Sequence, residues 1–348
     1  MSGRYAIVPG DPGRHKKAVL ELGRNLPDFP ESRYEKYYVA NPLGAPLFRL
    51  AEDRSSGDPA GVAALHRTRV SVAGNVLEGG IAADFAIDEK HRGFGPALAL
   101  QRDLLAALPD AGLSFVLATP NIASQPIIRR LGYQELGRFN RYVKVLRASY
   151  AVRHSIRRPG LAQAASIADP VLALVSRERR LRRRVAYEII RPDRFDERFT
   201  AVLGAAGEGH VVVPARDAAA LNWKYELDGA ARYSIFAVAK DPSAAAAYAV
   251  FATKDNVRHL FDLLARDGEA LEALLTLFLL DARAAGADAV ALLCLGQPCR
   301  LAESLHAFGF LRRPEPLGAF VYTSPDLTEA SLLREGANWY LLAGDSDL

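Results

Sequence analysis

Asp84-Phe85-Ala86-Ile87-Asp88-Glu89-Lys90-His91-Arg92-Gly93-Phe94-Gly95-Pro96-Ala97 is the stretch whose reading decides the fold. Ile81 to Ile87 reads as the end of a strand. Ala97 to Leu108 is rich in Ala and Leu, with Gln101, Arg102 and Asp103 on one side, which predicts a helix with an apolar face. The strand meets the helix through a turn holding Arg92 and two glycines two residues apart. Glycine lets the backbone come close to a ligand. The free N–H groups of the first helical turn, backed by the positive end of the helix dipole, point into that turn. A junction of this kind is an anion site, most often for phosphate, or else a plain tight turn. It is not a Walker loop, because no Gly-Lys-Ser/Thr follows. It is not a dinucleotide fingerprint, because the third glycine is missing.

Outward from this stretch, Tyr5, Ile7 and Val8 mark a first strand over 4–9. Asp11 is a candidate N-cap, with Pro12 at the first position of a helix reaching about Leu26. Glu31 to Ala40 predicts a second short helix carrying Tyr34, Tyr37 and Tyr38. Asn41-Pro42-Leu43-Gly44 is a turn. Strands follow at Leu47 to Ala51 and Gly61 to Val72. After the organising helix come a strand from Leu113 to Thr119, a helix near Ile122 and a strand from Gly137 to Leu146. The order is β-α-α-β-β-β-α-β-α-β, an α/β fold with a mixed sheet.

Half of the 348 residues are hydrophobic and 24% are charged, which describes a globular chain long enough for two domains. The two cysteines, Cys294 and Cys299, make no disulfide framework and fit a reducing compartment. No His cluster accompanies them, so no metal site is expected. The N-terminus lacks the apolar core of a signal peptide, and the longest apolar runs fall far short of a membrane span. These features predict a cytoplasmic protein. The net charge of +4 is one patch: Arg177 to Arg184 holds six arginines and Glu178. That run reads as a solvated helical face, or as a surface for an anionic partner. Nothing points to a nucleic-acid partner.

Arg92-Gly93-Phe94-Gly95-Pro96-Ala97 resembles the Gln/Arg-x-x-Gly-x-Gly/Ala signature of the GNAT acyltransferase superfamily. Pro120, Asn121 and Ser124, followed by Leu131-Gly132-Tyr133, resemble that family's Asn-x-x-Ala and Leu-Gly-Phe segment. The resemblance spans roughly residues 3–148. It implies acetyl-CoA or another acyl-CoA as cosubstrate. Phe85, Ala86 and Ile87 would pair with the pantetheine arm, and the N–H groups of Arg92 to Ala97 would hold the pyrophosphate. Pro96 removes one donor but suits a first-turn position, and Arg92 would add a charge-assisted contact. Asn121 and Ser124 complete the expected cofactor contacts.

Acyl transfer to an amine needs a base for the amine and a proton for the leaving thiolate. The family often supplies that proton from a tyrosine at the position held here by Ile128. Ser124, Tyr133, Tyr142 or water remain as sources. For the base, Glu78 and Asp84 lie on the central strand, where equal parity sends both to one face. Asp84, in an apolar setting, is expected to have a raised pKa suited to a base, or to cap a neighbouring loop. His66 and His91 read as a strand-surface and a loop histidine. The aromatic residues Tyr34, Tyr37, Tyr38, Trp223 and Tyr225 are candidates for a cleft, or for core packing.

Residues 149–186 read as a linker with one Arg-rich helix, and 187–348 weakly repeat 1–148. Trp223-Lys224-Tyr225 answers Glu35-Lys36-Tyr37, Asp262 answers Asp84, and Phe308-Gly309-Phe310 answers Leu131-Gly132-Tyr133. In the second half, Asp267, Glu269 and Glu272 stand where phosphates would sit, and carboxylates there repel an anion. The expectation is two tandem GNAT-like domains, the second degenerate, as in a bacterial subgroup of the family with members near exopolysaccharide and cell-envelope genes. The activity implied is N-acyl transfer to a small amine or amino sugar. Open alternatives are a non-catalytic acyl-CoA sensor or scaffold, and a carrier-protein donor docking on the Arg run.

Overall fold

The alternation that begins at Ile81 belongs to a longer strand than its apolar end suggests. In a computed structural model the protein is described over residues 3–26, 29–92, 94–148, 150, 169–204, 211–226, 233–296 and 301–346. The first half runs β1 (Tyr5–Pro9), α1 (Pro12–Gly23), α2 (Glu31–Tyr34, continued by a π-turn over Glu35–Val39), β2 (Leu47–Asp53), β3 (Pro59–Val72), β4 (Asn75–Ile87), α3 (Phe94–Ala106), β5 (Phe115–Ala118), α4 (Gln125–Arg130) and β6 (Gln134–Val145). Asp11 caps α1 by accepting from Arg14 N at 2.7 Å, with Pro12 opening the helix. On α3, Ala97, Leu100 and Leu104 form a buried stripe at helical spacing. Each fully buried leucine contributes about 2 kcal/mol.

The second half continues with α5 (Asp169–Leu174), α6 (Arg177–Leu181), β7 (Glu188–Ile190), α7 (Thr200–Gly204), β8 (Val212–Pro214), α8 (Ala218–Glu226), β9 (Ser234–Ala239), β10 (Ala247–Lys254), β11 (Val257–Ala265), α9 (Gly268–Ala284), β12 (Ala289–Leu295), α10 (Leu301–Ala307), β13 (Leu311–Thr323) and α11 (Ala330–Arg334). Part of the expected linker is therefore ordered structure. Its described residues hold two short helices, and α6 docks through Glu178, which is fully buried against Arg283 at 3.0 Å and Lys144 at 3.7 Å. Arg177 reaches Glu272 at 2.6 Å. The remaining arginines of the run are exposed.

All strands join one mixed sheet in the order β1-β2-β3-β4-β5-β13-β6-β12-β11-β10-β9-β7, with β8 on the edge of β3. Each half contributes an antiparallel meander, then a parallel pair: β4 with β5, and β11 with β12. The last strand of each half does not return to its own sheet. β13 pairs with β5 of the first half, β6 pairs with β12 of the second, and β6 and β13 pair with each other at the centre. The two halves are thus stitched by exchanged strands. In the first half, α1 and α2 cover one face of the sheet and α3 with α4 cover the other. Cys294 is disulfide-bonded, contrary to the reduced state expected of it. The chain's other cysteine, Cys299, lies outside the described residues. No helix among the described residues is long and apolar enough to cross a membrane.

Candidate active site

The register of β3 against β4 slips where the candidate base stands. Ala64 faces Ala83 and Val62 faces Ala86, so Asp84 and Phe85 together oppose Ala63. This is a β-bulge, and Asp84 sits in the left-handed region with φ 50°. Aspartate tolerates that region better than most residues but is still strained there, a condition often found at functional sites. The bulge resets the alternation. Phe85 and Ile87 pack with α3, whereas Ala86 packs with α1 and α2. Asp84 turns to the α1/α2 face, where His66 lies opposite Ile81. His66 Nε2 lies 2.7 Å from Asp84 Oδ2, and Arg33 donates from Nε and Nη2 to Oδ1 at 3.2 and 3.0 Å.

Two expectations fall here. Burial alone would raise the Asp84 carboxyl, but His66 and Arg33 outweigh it and hold the group down at about 2. Asp84 is therefore a fixed carboxylate, not a base with a raised pKa. Glu78 does not share its face, because the bulge lies between them. Glu78 forms a half-exposed cross-strand pair with Arg69 at 2.9 Å. His66, read as a surface histidine, is 3% exposed. Its Nδ1 is buried and has no hydrogen-bond partner among the described residues. The rings of Tyr37 and Tyr38 meet it edge-on at 4.5 and 5.6 Å.

Beside the bulge the sheet opens. β4 pairs with β5 only over Gly79–Ile81 and Phe115–Leu117. From Ala82 to Ile87 the β5-facing backbone of β4 has no strand partner among the described residues, so its N–H and C=O groups face a wedge. The start of α3 closes the wide end. Gly95 is exposed, and a Cβ there would meet nothing within 4 Å. Pro96 and Ala97 are buried beneath it, and Arg92 extends outward to Glu89 at 3.0 Å. Gly93 and the Phe94 side chain lie outside the described residues.

The other predicted residues do not converge on Asp84. Asn121 Oδ1 accepts from Ser124 N and Oγ at 3.0 and 3.1 Å, an exposed turn that begins α4. Tyr133 is buried in the α3/α4 core with its hydroxyl unpartnered among the described residues, and burial raises its pKa, so it keeps its proton. Ile128 is buried in the same core. Tyr142 packs in the second half, edge-on to His306. His91 is within 3.3 Å of the Tyr5 hydroxyl.

On the α1/α2 face, between the halves, lies a cavity of about 70 Å³. It is bordered by Tyr37, His66 and Ala83 from the first half and by Trp223, Lys224 and Asp345 from the second. Tyr37 and Trp223 meet at right angles, 5.4 Å apart. Lys36 and α8 lock the two halves here: Trp223 Nε1 donates to Lys36 O at 3.3 Å and Lys36 Nζ to Lys224 O at 2.8 Å. Of the five aromatic candidates only Tyr37 and Trp223 line the cavity. Tyr34 and Tyr38 stack in the first-half core, and Tyr225 packs, partly buried, against the second-half core.

The second half carries the same opening, but it is filled. β11 pairs with β12 only over Val257–Leu260. Beyond that point the chain's 340–346 segment enters. Leu295 N donates to Leu341 O at 3.0 Å, Cys294 bridges to Leu342, and the Tyr340 hydroxyl bonds Leu263 O. A Cβ on Gly344 would lie 2.9 Å from Phe261 O, so only glycine fits. Asp345 lies on Arg216, which also reaches Asp262 at 3.1 Å, all three fully buried, with Lys224 at 3.3 Å from Asp345. Burial pushes the Asp262 carboxyl up. It would do the same to Asp345, but Arg216 and Lys224 hold that group down. At the start of α9, Asp267 accepts from Ala270 N at 2.8 Å, and Glu269 pairs with Lys240. No cluster suited to a metal ion occurs among the described residues.

No family model matches the chain, and no curated protein is a significant relative. Solved structures do match. One is a protein from Enterococcus faecalis V583 described as a probable N-acyltransferase, with TM-score 0.68 at 12% identity over 92% of this chain and 73% of that one. A GCN5-related N-acetyltransferase from Kribbella flavida gives 0.62 at 15% identity, over 92% and 71%. Another from Anabaena variabilis ATCC 29413 gives 0.63 at 12%, over 92% and 73%. At these identities the likeness establishes the fold, the mixed α/β fold of GCN5-related N-acetyltransferases.

Proposed function

We propose that this chain is an acyl-CoA-dependent N-acyltransferase, with acetyl-CoA as donor and a small amine or amino sugar as acceptor. The observation that carries the reading is the wedge between β4 and β5 beside the open start of α3. An extended amide-bearing arm pairs with the free edge of β4 as an added strand would. Its phosphates meet the N–H groups and positive dipole end at Arg92–Ala97. Phe85, Ala86 and Ile87 line the arm, and Asn121 with Ser124 borders its outer side. The acceptor enters from the cavity on the opposite face, near Asp84. We read residues 1–148 and 187–348 as tandem GNAT-like units, the second degenerate. There the wedge is filled by 340–346, and Asp267 already occupies the helix start.

A non-catalytic sensor is the second reading, favoured by the buried Ile128 where the family places a proton-donating tyrosine. The two are separated by thiol release from acetyl-CoA over a panel of amines. An enzyme releases thiol with at least one amine and loses this in Gly95→Asp. The aspartate has room at that position, so the loss reports repulsion of the phosphates and not a folding defect. A sensor binds acetyl-CoA and releases no thiol with any amine.

A further inference from the structure

The buried pair His66 and Asp84 has a polarity that the acyl-transfer reading does not by itself require. Asp84 is an ionised carboxylate with Oδ1 taken by Arg33. A carboxylate only accepts, so the 2.7 Å contact at Oδ2 makes His66 Nε2 the donor. In the neutral ring the proton then sits on Nε2, and Nδ1 keeps a bare lone pair. That Nδ1 is buried, unpartnered among the described residues, and belongs to a side chain bordering the inter-half cavity. A buried acceptor without a donor is costly, and it is tolerated where a ligand supplies the missing proton. The strain at Asp84 has the same logic, since the left-handed bulge is what brings the carboxylate to the ring.

We infer that His66 is the general base of this protein, with Asp84 and Arg33 as positioning residues, and that the inter-half cavity admits the acceptor as a small primary amine. The inference rests on the acyl-transfer reading. His66 Nδ1 takes a proton from the attacking amine as the nitrogen lone pair forms the C–N bond. The C–S bond of the thioester breaks and its electron pair leaves on sulfur. The proton passes through solvent from His66 to that thiolate, so the products are an amide and a free thiol, and the base is restored. Other groups also bear on the ring: Tyr37 and Tyr38 from the π-turn, Lys224 and Asp345 across the cavity.

The test uses the full chain. His66→Gln is expected to bind acetyl-CoA within about twofold of wild type while kcat/KM for the amine falls roughly 10²–10⁴-fold. His66→Gly is expected to recover turnover with added imidazole. Asp84→Asn should lower kcat with the amine and leave both KM and affinity for acetyl-CoA unchanged. A His66→Gln variant within tenfold of wild type in kcat/KM overturns the inference and leaves acyl transfer standing. Wild type that neither binds acetyl-CoA nor releases thiol overturns both. Independently of any variant, 15N NMR of the wild-type histidines should show the neutral His66 ring protonated at Nε2 and bare at Nδ1. A proton on Nδ1 would sink the proposal.

Discussion

Among single residues, Asp84 decides how the site works, and its ionisation has a measurable consequence for stability. Its folded pKa of about 2 lies below the ordinary 3.8, so its charge stabilises the fold above about pH 4. That contribution, roughly 2 kcal/mol, is lost as pH falls toward 2. Urea midpoints of wild type and Asp84→Asn should therefore differ at pH 6 and converge on acidification. A gap that stayed constant would mean the charge contributes nothing. Asp84 stood out in the sequence as the one acid in an apolar strand end. Its face and its ionisation did not, because both follow from a one-residue bulge that resets parity. His66 was misread for the same kind of reason. Followed by Arg67 and Thr68, it looks like a solvent-facing position, and only the register of β3 on β4 shows it beneath Tyr37 and Tyr38.

Among elements, the helices and strands were legible and the segment that fills the second wedge was not. Asp11-Pro12 and Asp267 announce helix starts by local chemistry, and both cap as expected. Trp339 to Ser346 has no periodicity, because its place is set by the gap between β11 and β12 and not by its own pattern. Its anchor is Arg216, which balances Asp262 and Asp345 in a buried site. Arg216→Met leaves two buried carboxylates without their shared cation, and a loss of about 3–5 kcal/mol is expected in urea denaturation. Lys224→Met, at the partly exposed side of the same cluster, should cost clearly less. Equal losses would show that burial is not what sets the cost.

For the whole molecule, the exchange of β6 and β13 is the property no local pattern encodes. Leu131-Gly132-Tyr133 and Phe308-Gly309-Phe310 each lead into one of these strands, but nothing in either segment says which half the strand joins. The geometry closes each half with the partner's last strand. A fragment of residues 1–148 would carry β5 without β13 and β6 without β12, exposing unpaired edges. It is expected to aggregate or self-associate in size-exclusion chromatography, and to form a one-to-one complex when co-expressed with residues 149–348. A monodisperse, folded 1–148 monomer would contradict the exchange. The same architecture places one open wedge and one filled wedge in a single sheet, so the account stands most directly on a stoichiometry. Calorimetric titration of the full chain with acetyl-CoA is predicted to give one site per chain in the wild type and none in Gly95→Asp. Two sites, or one site untouched by Gly95→Asp, would contradict it.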